Sequence, residues 1–185
     1  MKKNIITIAG DLASGKSRVT DILRQDLNYE IYRNGEYVRK LAKEKGLNIT
    51  SFNEYLKDHP EIDQQIEKSA AEYAKTHDNL IVDARLGWYA IPNSFKIYLK
   101  VDIDVAAKRA FEDENRKETE KFETIEEQKA DMIRRYKLEN ERFFKLYGVR
   151  KEDMSNYDLV VDTTNSTVEK AAKLIEEEYR KWLNT

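Results

Sequence analysis

Cysteine is absent from the 185 residues of this chain. That excludes disulfides, thiolate metal sites and cysteine nucleophiles together, and it makes a reducing cytoplasm the simplest expected home. Histidine is nearly as scarce: His59 and His77 are the only two, both in helical surface patterns, so imidazole acid–base chemistry has little to draw on. With two prolines and six glycines, no linker rich in Gly, Ser or Pro divides the chain. The length suits one generous domain carrying an insertion. Long apolar runs are missing too. Lys2 and Lys3 precede a short apolar run like the start of a signal peptide, but Gly10 and Asp11 end it too early. No later stretch approaches the roughly eighteen apolar residues that span a bilayer. Nor does one sign of charge dominate: 33 basic side chains face 35 acidic ones, so no global field draws nucleic acid or a membrane surface. Any anion has to be held by local geometry.

What is present is an alternation of strand and helix patterns. "NIITIA" (4–9) is a β-branched apolar run ending at Gly10, the signature of a buried parallel strand. A helix over 16–27 follows, with Val19, Ile22, Leu23 and Leu27 on one stripe. Further strands are predicted at 29–32, 79–84, 95–101 and 157–163. Helices are predicted at 36–45, 51–58, 60–77, from 104 to about 114, up to Tyr147 before Gly148, and at 167–183. Such an order predicts an α/β fold with a mainly parallel sheet. The helical block 35–78 exceeds an ordinary crossover and reads as an inserted subdomain. The charge-dense stretch 111–124 has a composition compatible with disorder.

Gly10, Gly15, Lys16 and Ser17 satisfy G-x-x-x-x-G-K-[ST] between a predicted strand and a predicted helix. Glycine allows backbone conformations that Cβ forbids, so the amides of Asp11, Leu12, Ala13, Ser14 and their neighbours can turn inward around phosphate oxygens. The positive end of the following helix faces the same anion. Lys16 supplies a mobile charge for the outer phosphates, and Ser17 a hydroxyl ligand for Mg²⁺. A nucleoside triphosphate, ATP or GTP, with Mg²⁺ is therefore expected. No N-K-x-D or D-x-x-G motif accompanies the loop, which argues against a GTPase switch.

Asp83 ends the apolar run "NLIV", at a strand tip where open α/β sheets bind ligands. It can hold a water on Mg²⁺, orient an acceptor, act as base toward a hydroxyl acceptor, or simply close a turn. Arg85 follows as a substrate-phosphate contact or a surface ion pair. Arg135 and Arg142 are seven residues apart, nearly two helical turns, so both project from one face, with Glu139 and Glu141 as alternative surface partners. Arg39, after Gly35, heads the first helix of the insertion. Arginines beside a phosphate loop describe transfer between two anions. A phosphate acceptor is already ionised and needs no base; repulsion is then the obstacle, and fixed guanidiniums offset it.

At these residues the sequence resembles the cytidylate kinase-like family of P-loop nucleoside monophosphate kinases, in the short form typical of archaea and some bacteria. The likeness rests on "ITIAGDLASGKS", "NGEYVRKLAKEKG" followed by "HPEID", "DARLGW", the arginine pair, and "YGVRKEDMSNYDLVVDTT". It implies five parallel strands (core 1–34, 79–110 and 149–185), a monophosphate-binding insertion (35–78) and a lid region (111–148) that closes over both nucleotides. Gly35, Arg39 and Arg85 would then bind the acceptor, and Arg135 and Arg142 would close onto the phosphates. Arg109 would stack on the donor base, near Thr164 and Asn165. The implied reaction is phosphoryl transfer from ATP to CMP or dCMP, with ATP and Mg²⁺ as cofactors and small-molecule nucleotides, rather than nucleic acid or a membrane, as partners. Two departures bear on the acceptor: members commonly read R-L-A-G-W where this chain has Arg85, Leu86, Gly87 and Trp88, and the stretch 111–124 is longer than usual. The rival readings are a P-loop kinase of another small metabolite with Asp83 as base, and a nucleotide-responsive binding module without transfer. Trp88 and Tyr89 would wall the acceptor pocket or pack in the core.

Overall fold

The computed structural model describes residues 4–113 and 122–184. Expectations for 114–121, most of the charge-dense stretch, lie outside the described residues. The strands are β1 (Ile5–Gly10), β2 (Glu30–Arg33), β3 (Leu80–Asp83), β4 (Phe95–Lys100) and β5 (Leu159–Asp162). They form one sheet in the order β2-β3-β1-β4-β5, and every ladder is parallel. The apolar runs of β1 and β3 belong to strands covered on both faces, and β1 occupies the centre.

Around the sheet lie α1 (Lys16–Leu27), α2 (Asn34–Glu44), α3 (Ile49–Tyr55), α4 (Pro60–Thr76) and α5 (Gly87–Ala90), then α6 (Ile103–Glu112), α7 (Ile125–Tyr147) and α8 (Val168–Leu183). One face packs Ile6, Ile8, Ile81 and Ile97 against Val19 and Leu23 of α1 and Ile175 and Tyr179 of α8. On the other, Ile5, Leu80 and Val82 meet Ala70 and Ala74 of α4. Helices α2, α3 and the start of α4 close over their own small core of Ala42, Phe52, Leu56 and Ile66, so α4 serves both the insertion and the sheet. No helix among the described residues is long and apolar enough to cross a membrane.

Three local features differ from expectation. Asn34 and Gly35 are the first residues of α2 rather than a break before it. The four-residue α5 is too short to leave a periodic signal. The expected strand 157–163 contracts to Leu159–Asp162 because Tyr157 turns inward to the cluster of Ala9, Trp88 and Tyr98. Its hydroxyl donates to the Lys151 carbonyl at 2.8 Å.

Gly10 is where the sheet dictates the sequence most directly. It pairs with Leu99 of β4, and a Cβ on Gly10 would lie 2.6 Å from the Leu99 carbonyl oxygen, a rigid backbone atom. Gly10→Ala is expected to destabilise the protein by about 1–3 kcal/mol, read as a lower urea midpoint at unchanged m-value.

Candidate active site

β1 ends at the topological switch point of the sheet, where the crevice beyond the strand ends receives ligands. The following loop is tied to its neighbours. The Asp11 amide donates to Leu99 O at 2.9 Å, while the Asp11 carboxylate accepts from Tyr98 Oη at 2.6 Å and from the Val101 amide at 2.9 Å. On the other side the Thr163 hydroxyl donates to Ser14 O at 3.0 Å. Leu12 and Ala13 pack against the Val101, Ala106 and Ala107 cluster. The side chains of Asp11, Leu12 and Ala13 thus hold the loop in place.

Gly15, at φ 83°, turns the chain into α1. No side chain caps that helix and its first turn holds no acid, whereas Asp102, Thr124 and Thr167 cap α6, α7 and α8. The positive end of α1 is therefore open to an anion. Ser14 Oγ beside it is buried without a hydrogen-bond partner. Lys16 Nζ lies 2.8 Å from Asp83 Oδ1 at the tip of β3, and Ser17 is exposed on the first turn. Uncapped amides, a movable ammonium, a hydroxyl and a carboxylate form a donor set that fits a triphosphate with a hard divalent cation.

Two residues beyond Asp83, Arg85 turns to the other side of the crevice. Its Nε is 2.8 Å from Glu139 Oε1, and Lys151 Nζ donates to Glu139 Oε2 at 2.8 Å. Glu139 is 2% exposed. Burial pushes its carboxyl upward, but the Arg85 and Lys151 charges outweigh that and hold it well below the usual carboxylate range. The same carboxylate holds the Arg85 guanidinium above its ordinary value, while burial pulls the Lys151 ammonium down. Glu139 is thus the buried clamp of Arg85, not a surface partner of Arg135 or Arg142.

Arg142 reaches across to the insertion. Its Nε donates to Asp63 Oδ2 at 2.7 Å and its Nη1 to Asn53 Oδ1 at 3.1 Å. Asp63 is raised by burial, against the opposing Arg142 charge. One turn further along α4, Glu67 is pushed up to about 8 by burial and by Asp63. These residues, with Arg85 and Asn34, line a cleft between the insertion and α7 whose free space, about 20 Å³, has room for one water. Arg135 is also buried on α7, 3.8 Å from Asp131, and Asp131 accepts from Thr50 Oγ1 of α3 at 2.8 Å. Helix α7 is therefore bonded to the insertion in this structure.

Arg85 and Arg142 meet at this cleft, but Arg39 does not join them. It lies on the exposed face of α2, its guanidinium 3.4 Å from where a Cβ on Gly35 would sit. Arg109 and Thr164 come together: Arg109 Nη2 donates to the carbonyls of Thr163 and Thr164 at 2.9 and 3.1 Å. Trp88 is buried among Ala9, Leu86, Tyr98 and Phe143, and Tyr89 is exposed. Sequence reasoning missed Asp63, Glu67, Asn53 and Lys151. The first two had a readable signal: spaced four apart, they flank Ile66 on the apolar stripe of α4, an unusual place for two acids.

A family model described as the cytidylate kinase-like family matches residues 5–165. The cytidylate kinase of Thermoplasma volcanium is 35% identical over 175 residues, covering 92% of this chain and 88% of that protein. An S-adenosylmethionine-dependent nucleotide dehydratase of Lacinutrix mariniflava is 36% identical over 180 residues. That match takes in 97% of this chain but only 36% of the relative, so the chain spans about a third of that protein's length. Among solved structures, shikimate kinase from Bacteroides thetaiotaomicron superposes with a TM-score of 0.62 over 96% of this chain and 98% of its own, at 14% identity, which shows the fold. With the phosphate loop at the switch point and the family match spanning both sides of the crevice, the chain belongs to the cytidylate kinase-like family.

Proposed function

We propose that this protein transfers the γ-phosphoryl group of ATP, with Mg²⁺, to a pyrimidine nucleoside monophosphate, CMP or dCMP. One observation supports this reading above the others: Asp83, bonded to Lys16 of the phosphate loop, stands two residues from Arg85, so the tip of β3 joins two anion-binding sets at one mouth. The family membership and the archaeal cytidylate kinases point to the same acceptor class. The Lacinutrix relative is named for a nucleotide as well, but its dehydratase activity belongs to a longer protein and is not carried over.

In this reading the amides of the loop beyond Asp11, whose own amide is taken by the Leu99 carbonyl rather than turned inward as expected, hold the triphosphate together with the Lys16 ammonium. Lys16, now paired with Asp83, would turn to the phosphate oxygens. Asp83 and the Ser17 hydroxyl would hold Mg²⁺, which would supply charge neutralisation at the phosphates. Residues 35–78, with Gly35 and Arg39, receive the acceptor together with Arg85 beyond β3; Arg39, exposed on α2 in this structure, has to turn toward the cleft to take part, and the region 111–148, which includes α7, serves as the lid. Arg135 and Arg142 offset the charge spread over the loose transition state, and Arg109 lies against the donor base. The acceptor phosphate needs no general base because it is ionised near neutral pH. Admitting a nucleobase requires the cleft to widen, since it now has room for one water, so Arg142 must release Asn53 and Asp63.

A coupled assay of CMP, dCMP, UMP, AMP and GMP with ATP is expected to show turnover with cytosine monophosphates foremost; ATP binding with no acceptor-dependent turnover would identify a binding module instead. Lys16→Ala should lower kcat by at least about 10²- to 10³-fold while the circular dichroism spectrum is retained. Asp83→Asn should raise the Mg²⁺ concentration needed for half-maximal rate. A fall in kcat of about 10²- to 10⁴-fold at saturating Mg²⁺ would instead assign Asp83 as the base of a hydroxyl-directed kinase.

A further inference from the structure

The acids of the acceptor-side cleft are not equally engaged. Asp63 is bonded to Arg142, and Glu139, which holds Arg85 from outside the cleft lining, is shared with Lys151. Glu67 differs. It is 7% exposed, it lines the same cleft, and its Oε2 is buried without a hydrogen-bond partner. Leaving such an oxygen unpaired costs about 1–3 kcal/mol, which a ligand group in the cleft would offset. A phosphate is the wrong ligand for an acid, and Arg85 and Arg142 already serve phosphate. What remains of the acceptor is its sugar and the polar edge of its base; the sugar hydroxyls differ between CMP and dCMP, whereas the base edge, a donor beside an acceptor, is common to both. Asn34 Oδ1, also buried and unpartnered, lines the same cleft.

The geometry points to Glu67 as the residue that reads the acceptor's pyrimidine, its carboxyl group donating to the ring nitrogen and accepting from the exocyclic amine of cytosine. The inference rests on the function proposed above and names the specificity residue of that site. A carboxyl can make this pair only when protonated, because a carboxylate has acceptors alone. The surroundings hold the proton on. Burial and the Asp63 charge raise Glu67 to about 8, Glu139 on α7 adds to the rise, and the guanidiniums of Arg85 and Arg142 oppose it. Tyr147, from the end of α7, also faces this acid pair. At neutral pH Glu67 therefore presents a hydroxyl donor and a carbonyl acceptor side by side. Asn34 Oδ1 offers an acceptor for the second amino hydrogen, which favours an amino-bearing base over one carrying a carbonyl there.

The test measures KM for CMP and for ATP from pH 6.5 to 9.5 in the wild-type protein, Glu67→Ala and Glu67→Gln. The wild-type KM for CMP should stay level near neutrality and rise as pH passes about 8, while KM for ATP does not follow it. Above pH 7 the CMP phosphate is already past its second ionisation, near 6, so the rise does not come from the substrate. Glu67→Ala should raise KM for CMP about tenfold. It should also lose discrimination between CMP and the 2-pyrimidinone nucleotide that lacks the amino group. Glu67→Gln carries a donor and an acceptor at every pH, so it should rescue most of that loss at pH 7 and abolish the alkaline rise. A Gln variant as impaired as Ala, or an Ala variant that still discriminates the amino group, overturns the assignment.

Thermal unfolding supplies a readout that needs no ligand. Glu67 has a folded-state pKa raised from 4.5 to about 8, so its stabilising effect is complete below about 4.5 and is lost as pH rises to about 8. The melting temperature of Glu67→Gln should gain on that of the wild type across this window and hold its lead above it. No such gain would refute the protonated group. Should the wild type phosphorylate no pyrimidine monophosphate at all, the proposed function falls and this inference with it; turnover of CMP with unaltered Glu67 variants overturns the inference alone.

Discussion

The close approach of Gly10 to the Leu99 carbonyl is the constraint on which the site depends. A backbone without a side chain lets β1 run against β4 to its last residue, and the next residue then locks the turn. Asp11 donates its amide to Leu99 and accepts from both Tyr98 and Val101. The loop beyond is therefore braced against β4 before it reaches Gly15, and Thr163 braces its far side. Preorganisation of this kind matters because amides aimed in advance cost no reordering when an anion arrives.

The rest of the crevice is built from charges that hold one another. Lys16 is paired with Asp83, Arg85 and Lys151 with Glu139, and Arg142 with Asp63. Buried pairs of this sort add little net stability, since desolvation consumes most of the Coulombic gain. Their value is positional. Each cation is kept oriented by its acid, which in the proposed function yields it to a phosphate oxygen. Glu139 is the exception: held by two cations and nearly without exposure, it anchors Arg85 to α7.

α4 shows how one helix serves two ends. Ala70 and Ala74 keep its C-terminal half close to the sheet, and Ile66 fills the small core of the insertion. Asp63 and Glu67 lie on that same inward side because four residues return a helix to nearly the same direction. Their burial in the cleft is a consequence of the packing that Ile66 and Ala70 require. The acids then acquire opposite roles from their neighbours: Asp63 finds a guanidinium, and Glu67 does not.

Much of this was legible along the chain. Uninterrupted β-branched runs mark strands covered on both faces, the spacing of Gly10, Gly15 and Lys16 marks the loop that joins β1 to α1, and a stripe of Val19, Leu23 and their neighbours marks α1. Each of these signals depends on residues a few positions apart, where covalent geometry sets the distance. The order of the strands did not appear there, nor did the pairing of Arg85 with Glu139, fifty-four residues away, or of Arg142 with Asp63. Nothing local tells an arginine which acid it will meet, since that is decided when helices from distant parts of the chain pack on one sheet. Burial, and with it the protonation of Glu67, is likewise a property of the assembled cleft: the same carboxyl on an isolated helix would sit in water and ionise as carboxyls ordinarily do.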